Sequence, residues 1–371
     1  MNLSYWEQKS WFSNIDFTIV GSGIVGLNCA LELRRMHPKA RILVLEKGKL
    51  PQGASAKNAG FACFGSISEI LSDLKTHSEQ EVFQLVQDRF DGIHSLRTLL
   101  GDNAIGYQNN GGHELFLNKD VALYESCLGQ VEYVNGLLRP IFGKDAFKVL
   151  PNRFKFSGIN GNYISQIYEG QIDTGKMMYS LLQLSYQKDI NILNGTEVKA
   201  FEDSGAEVLV KTDDMDFTTN KLLIATNGFA AQLLSENVEP ARAQVLITKP
   251  IKGLNIKGTF HLEEGYYYFR NIDNRILLGG GRNLDFKAEE TTEFGNTHLV
   301  QNKLNQLLKT VILPEQSYEI DYNWSGIMGV GQQKKPIIKQ VSDNVSCGVR
   351  LGGMGIAIGS IVGKNLANLI A

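Results

Sequence analysis

"TIVGSGIVGLNCALEL", residues 18–33, sets three glycines, Gly21, Gly23 and Gly26, between an apolar run and an amphipathic one. Asp16 to Val20 is short and β-rich, as a buried strand is. "LNCALELRRMH" has helical periodicity through Leu27, Ala30, Leu31 and Leu33, and Pro38 ends it. "ARILVLEKG" is a second buried strand, with Glu46 at its end, twenty residues past Gly26. Strand, GxGxxG turn, helix and acid at this spacing form a dinucleotide fingerprint. Gly21 makes the tight turn, Gly23 lets a pyrophosphate approach, and Gly26 lets helix and strand pack closely. The helix start at Ile24 and Val25 offers free N–H groups and partial positive charge to phosphates. Glu46, followed by Lys47, can accept both hydrogen bonds of a ribose diol. The fingerprint leaves NAD and FAD both open.

A second run of small residues follows the acid: "PQGASAKNAGFACFGS", residues 51–66. Ser55, Lys57 and Asn58 offer donors to another side of a pyrophosphate, and Gly60 allows a close approach. Here the chain resembles the D-amino-acid oxidase-like family of FAD-dependent amine oxidoreductases, which includes glycine oxidase and sarcosine oxidase. In that family a "GAS-x-[RK]-N-[AS]-[AG]" segment lies along the pyrophosphate and reaches the flavin. The resemblance implies cofactor contacts at Ser55, Ala56, Lys57, Asn58, Gly60 and Phe61. It continues through "EGQIDTGKMMYSLLQLSYQKDINILNGTEV", which brings in Val198, and "LLIATNGFAAQLL", which brings in Thr226, Asn227 and Gly228. "YYYFRNIDNRILLGGG" resembles a tyrosine-bearing hairpin over the flavin, and "LGGMGIAIGSIVGKNLANLI" a C-terminal glycine turn and helix. That turn implies contacts from Gly352, Gly353, Met354, Gly355 and Ile356. The helix start would stabilise negative charge on the pyrimidine end of the reduced flavin.

The 371 residues are 43% hydrophobic and 20% charged, with a formal net charge of -2. That suits one large or two modest cores and gives no electrostatic footprint for nucleic acid. Cys29, Cys63, Cys127 and Cys347 are scattered without a CxxC pair, and the histidines lack metal spacing, so neither a disulfide framework nor a metal site is expected. The N-terminus "MNLSYWEQKSWFSN" has no apolar signal-peptide core. The C-terminal glycine-rich stretch is too interrupted for a span of about 18 apolar residues. A cytoplasmic protein without stable membrane insertion is expected.

The pattern divides into interleaved parts and predicts an α/β chain with an α+β substrate portion. A Rossmann-like FAD-binding domain would use residues 1–80, 152–240 and 321–371. A mainly antiparallel-sheet substrate domain would use 81–151 and 241–320, with a hairpin at "IGYQNNGGHELFL" and a polar helix near 293–310.

In "EGYYYFRNIDNRILL" alternation puts Tyr266, Tyr268 and Arg270 on one strand face, Tyr267 and Phe269 on the other, with a turn at Asp273–Asn274. Two phenols and a guanidinium suit an anionic or amine substrate, or a solvated face of cross-strand packing. The resemblance favours Tyr268 near the substrate. His113 opens a strand and reads as a base, a substrate contact or a half-exposed histidine. Some relatives attach FAD through cysteine or histidine, but neither Cys63 nor Cys347 falls at that place, so non-covalent FAD is expected. "WSGIMG", residues 324–329, resembles a family segment whose arginine grips the substrate α-carboxylate. Matching Trp324, Gly326 and Gly329 leaves Met328 at that position, with Arg270 as the substitute cation. The expected activity is oxidation of a C–N bond of an amine or amino acid, other than a simple α-amino acid, with oxygen or another electron acceptor. A non-catalytic flavoprotein subunit and an NAD-dependent dehydrogenase are the alternatives.

Overall fold

The computed structural model describes residues 2–370, with two eight-stranded sheets and a two-stranded pair of Phe61–Ala62 with Gly170–Gln171. Strand order in the first is Ile337–Ser342, Val345–Val349, Asp216–Ile224, Ile15–Val20, Ile42–Glu46, Asn191–Asn194. Ile15–Val20 runs parallel to both of its neighbours. Val198–Asp203 and Val208–Thr212 extend antiparallel from Asp216–Ile224. The parallel strands read as continuous apolar runs because both faces are covered. Helices Ile24–Met36 and Gly355–Asn368 pack on one another beside this sheet. The contact is close where side chains are missing. A Cβ on Gly26 would stand 1.9 Å from the Gly21 carbonyl oxygen, so the turn and the helix fit only with glycine there.

The second sheet runs Ile320–Val330, Glu239–Thr248, Arg275–Gly280, Tyr267–Ile272, Thr259–Leu262, Gly112–Leu115, Asn162–Gln166, Phe147–Pro151. All neighbours are antiparallel except Thr259–Leu262 with Gly112–Leu115. One face packs Phe260, Phe269 and Leu278 against helix His298–Leu307 through Val300 and Leu304. The other turns toward the first sheet. The expected hairpin turn is present: Ile272 pairs with Arg275, and Asp273 and Asn274 have φ of 49° and 57°, left-handed values that these residues tolerate.

Three expectations need correction. "IGYQNNGGHELFL" does not close a hairpin. Both edges of Gly112–Leu115 are taken by distant strands, and Gln108 makes only an isolated bridge to Gln171. The predicted domain limits shift because strand pairing overrides chain position: Asn162–Gln166 and Ile320–Val330 both lie in the second sheet. Helix Glu79–Leu100, expected in the substrate part, docks on Gly355–Asn368, where the Ser360 hydroxyl donates to the Gly92 carbonyl at 2.7 Å. Among the described residues, no helix is long and apolar enough to cross a membrane.

Candidate active site

A cavity of about 550 Å³ lies between the sheets. Its wall takes Gly21, Gly23, Ile24, Val25, Glu46 and Lys47 from the first crossover, and Ser55, Lys57, Asn58, Gly60 and Phe61 from the loop after it. Val198, Thr226 and Asn227 join these, and Gly352 to Ile356 close one side. Tyr268, Gly326 and Met328 come from the second sheet. Segments more than 300 residues apart therefore meet on one surface. Gly26, Ala56 and Gly228, expected at the cofactor, are off this wall. Gly228 lies against strand Ile320–Val330, where a Cβ would stand 2.5 Å from the Met328 carbonyl oxygen.

At the glycine end the backbone itself is the site. Gly23 starts the Ile24–Met36 helix without a capping side chain, and the Ser55 hydroxyl accepts the Ile24 N–H at 2.9 Å. A Cβ on Gly23 would stand 2.8 Å from that hydroxyl oxygen. The Thr226 hydroxyl is buried without a hydrogen-bond partner among the described residues. Open helix N–H groups, an orphaned hydroxyl and a cradle that a Cβ would fill fit the pyrophosphate of a dinucleotide. Glu46 differs from its expected role. Its Oε2 accepts the Ser22 N–H (3.1 Å) and hydroxyl (2.8 Å), and its Oε1 accepts the Gly48 and Gln52 N–H groups (3.0 and 3.3 Å). The carboxylate has about four acceptor positions and protein donors already use them, so a ribose diol would have to displace some of these. Asn58 braces its own loop: it donates to the Ser55 carbonyl at 2.8 Å and accepts from Gly60 N–H and the Thr174 hydroxyl, each at 2.8 Å. Lys47 places its ammonium 3.6 Å from the Phe229 ring centre.

The far end is built from side chains. Phe61 meets Tyr268 and His261 edge-on, with centroids 5.6 and 5.3 Å away. The Tyr268 phenol makes no hydrogen bond among the described residues, and burial pushes its pKa up to about 12, so it remains a neutral hydroxyl. Met328 shares one face of its strand with Trp324 and Gly326, and it lines the cavity with Gly326. The Trp324 indole donates to the Lys57 carbonyl at 2.9 Å and ties that strand to the loop at residues 51–66.

Two predicted substrate residues fall elsewhere. Arg270 shares the face of Tyr268 but is 2% exposed and off the cavity wall. Its guanidinium donates to the carbonyls of Ile172 (2.8 Å) and Gly60 (3.3 Å), so its charge braces the loop. Burial lowers its pKa to about 10, which leaves it a cation at neutral pH. His113 points the other way. It is enclosed by Phe154, Tyr163 and Phe260, with Nδ1 2.7 Å from the Ser165 hydroxyl. Burial lowers its pKa to about 3, helped by Arg153 and His261, so it is a neutral core residue.

Sequence reading missed His261, Glu69 and the buried carboxylates Glu114 and Glu169 behind them. His261 and Glu69 line the cavity. His261 pairs in register with Tyr268 across the turn at Glu263–Tyr266. Pairing "TFHL" with "YYFR" about that turn would have put the histidine beside the tyrosine.

Residues 16–369 match the DAO family of FAD dependent oxidoreductases, and the chain belongs to that family. It is an FAD-dependent oxidoreductase. It is 23% identical to the probable oxidoreductase OrdL of Rhizobium meliloti (strain 1021), over 95% of this chain and 82% of that protein. It is 21% identical to sarcosine oxidase subunit beta of Rhodobacter capsulatus, over 99% of this chain and 90% of that one. Its fold is similar to the crystal structure of glycine oxidase from Geobacillus kaustophilus, with a TM-score of 0.77, 18% identity and coverage of 96% and 94% of the two chains.

Proposed function

We propose that the protein oxidises the carbon–nitrogen bond of an amine or N-substituted amino acid, using non-covalent FAD. The observation that carries this reading is the single cavity that joins the phosphate cradle at Gly23 to a wall of Tyr268, Phe61, His261 and Met328. Bound FAD supplies the hydride acceptor for the carbon next to nitrogen. The chain's own part is orientation and exclusion of water. Phe61 and Met328 give apolar contact, and Tyr268 offers a neutral hydroxyl that can accept from or donate to the substrate nitrogen. Gly352 to Ile356 bring the start of the last helix to the same cavity, where its dipole favours negative charge.

The substrate differs from a simple α-amino acid on this reading. Met328 cannot pair with a carboxylate, and Arg270 is committed to backbone carbonyls. Of the wall's other Lys and Arg side chains, Lys47 lies over Phe229 at 3.6 Å, Arg282 over Phe286 at 5.0 Å, Lys334 pairs with Asp73 at 2.5 Å, and Lys57 belongs to the loop at residues 51–66. Cys63, also on the wall, is a poor attachment point. Burial raises its thiol pKa well above the ordinary value, and Glu169 and Glu69 add to that, which disfavours the nucleophilic thiolate.

The test is anaerobic mixing of the yellow holoenzyme with glycine, D-alanine, N-methylglycine, N-methylalanine and spermidine. Spermidine, which carries no carboxylate, is expected to bleach the flavin faster than glycine or D-alanine. Absence of bleaching by every amine would overturn the reading. Flavin that stays with the polypeptide after acid precipitation would overturn the non-covalent attachment.

A further inference from the structure

Among the described residues, His261 is the one histidine on the cavity wall. It is 6% exposed, and its Nε2 is buried without a hydrogen-bond partner, 3.7 Å from Glu169 Oε2. Glu169 is itself held: its Oε1 accepts the Phe64 and Gly65 N–H groups at 2.9 and 3.3 Å. Glu169 Oε2 lies only 1.7 Å from where a Cβ on Gly112 would be, so the glycine makes room for this carboxylate. Glu114 stands behind, accepting the Ser68 N–H at 3.0 Å and the Ser68 hydroxyl. The ring's other neighbours are Phe61, met edge-on, and Tyr268, opposite it in register on the next strand. A buried imidazole thus sits between an orienting carboxylate and the cavity.

We propose that His261, backed by Glu169, accepts the proton that a substrate ammonium must lose before its C–H bond can be broken. This rests on the amine-oxidation reading above. An amine enters at neutral pH mainly as the ammonium ion, whose nitrogen has no lone pair to assist departure of the hydride. The nitrogen–hydrogen bond breaks, the electron pair remains on nitrogen, and the proton joins a ring nitrogen of neutral His261. The new imidazolium charge is stabilised by Glu169 and returns its proton to water once the product has left. A base with a fixed carboxylate partner is a common proton-handling arrangement.

The charges facing the ring agree with this role. Burial opposes a charge on His261, but Glu169, then Glu69 and Glu114, outweigh it and raise the pKa above the ordinary 6.5. His113, on the adjacent strand, is neutral near pH 7. Tyr268, Cys63 and Tyr107, titratable groups around Glu169 and His261, are all shifted upward and stay neutral. Free His261 is thus a stronger base than an ordinary imidazole, and protonation removes it as the pH falls.

The experiment measures the anaerobic bleaching rate from pH 6 to pH 10 for wild type, His261→Gln and His261→Asn holoenzymes, using N-methylglycine, N-methylalanine and spermidine. At pH 7 the variants are expected to be slower by about 100-fold, within the usual range for a general base. The gap should close to within about threefold near pH 10, where amines of ordinary pKa deprotonate in solution. A purely structural role lowers the rate equally at every pH. Histidine-labelled holoenzyme gives a second readout by nitrogen NMR. The signal that His261→Asn removes should titrate above the ordinary value and move down in Glu169→Gln. Bleaching by wild type together with a pH-independent loss, or a signal unmoved by Glu169→Gln, overturns the proposal alone. No bleaching by wild type overturns the amine reading and this proposal with it.

Discussion

The two ends of the cavity are made in different ways. At the glycine end, contact is between backbones: a Cβ on Gly26 would strike a carbonyl at 1.9 Å, and one on Gly23 would meet the Ser55 hydroxyl at 2.8 Å. At the far end, Phe61, His261, Tyr268 and Met328 arrive from three separate stretches of chain and meet through their side chains. One end depends on missing side chains, the other on which face of a strand each side chain takes. Neighbouring residues of the second sheet show this. His113 and His261 sit on adjacent parallel strands, one step apart in register: His113 lies opposite Phe260, and His261 opposite Glu114. One faces the aromatic core and is driven neutral, while the other faces carboxylates and is raised.

The largest expected effect breaks the glycine end. Gly26→Ala meets a backbone carbonyl that cannot turn away, so a loss of about 4 kcal/mol or more and flavin-free protein are expected. Gly23→Ala meets only the Ser55 hydroxyl, which can rotate, and should fold while holding less FAD. Urea midpoints and flavin-to-protein ratios separate the two. Equal effects would mean that the cradle is not set by backbone contact.

Arg270→Met tests which end the guanidinium serves. It leaves the Ile172 carbonyl short of a partner and removes a buried charge, at a cost of about 2–4 kcal/mol. The order of amines in the bleaching panel should not change. A selective loss of amino acids bearing a carboxylate would put Arg270 back in the substrate site.

The His113 face can be read by acid stability. Its folded pKa lies below its unfolded value, so the neutral ring's contribution is complete above 6.5 and is lost as the pH falls from 6.5 toward about 3. Between pH 7 and pH 5 this costs about 2 kcal/mol, and His113→Gln should abolish that part of the slope. Melting temperatures at the two pH values provide the check, and an unchanged slope in the variant would contradict a buried neutral ring.

Met328→Leu is the mildest change. The volume is nearly conserved, so stability should shift by less than about 1 kcal/mol and the ranking of secondary amines should hold. Thermal melts and the same panel measure it.

The sequence by itself determined the first crossover, the glycine turn, the C-terminal turn and helix, and the faces of Tyr266 to Arg270. Each rests on local backbone geometry or on a period of two or 3.6 residues, which the chain carries in adjacent positions. Alternation along Ile320–Val330 also puts Gly326 and Met328 on one strand face, and both line the cavity, while Trp324 shares that face but lies off the wall. Strand partners were decided only in three dimensions. Gly112–Leu115 lies between Thr259–Leu262 and Asn162–Gln166, so His113 turned into a core that no local pattern announced. The same pairing put Glu114 and Glu169 behind His261 and sent Arg270 to the carbonyls of Gly60 and Ile172. A side chain's charge and partners depend on what its face of the sheet meets, and in this chain that is supplied by distant residues, from Phe154 and Ser165 around His113 to Gly60 beside Arg270.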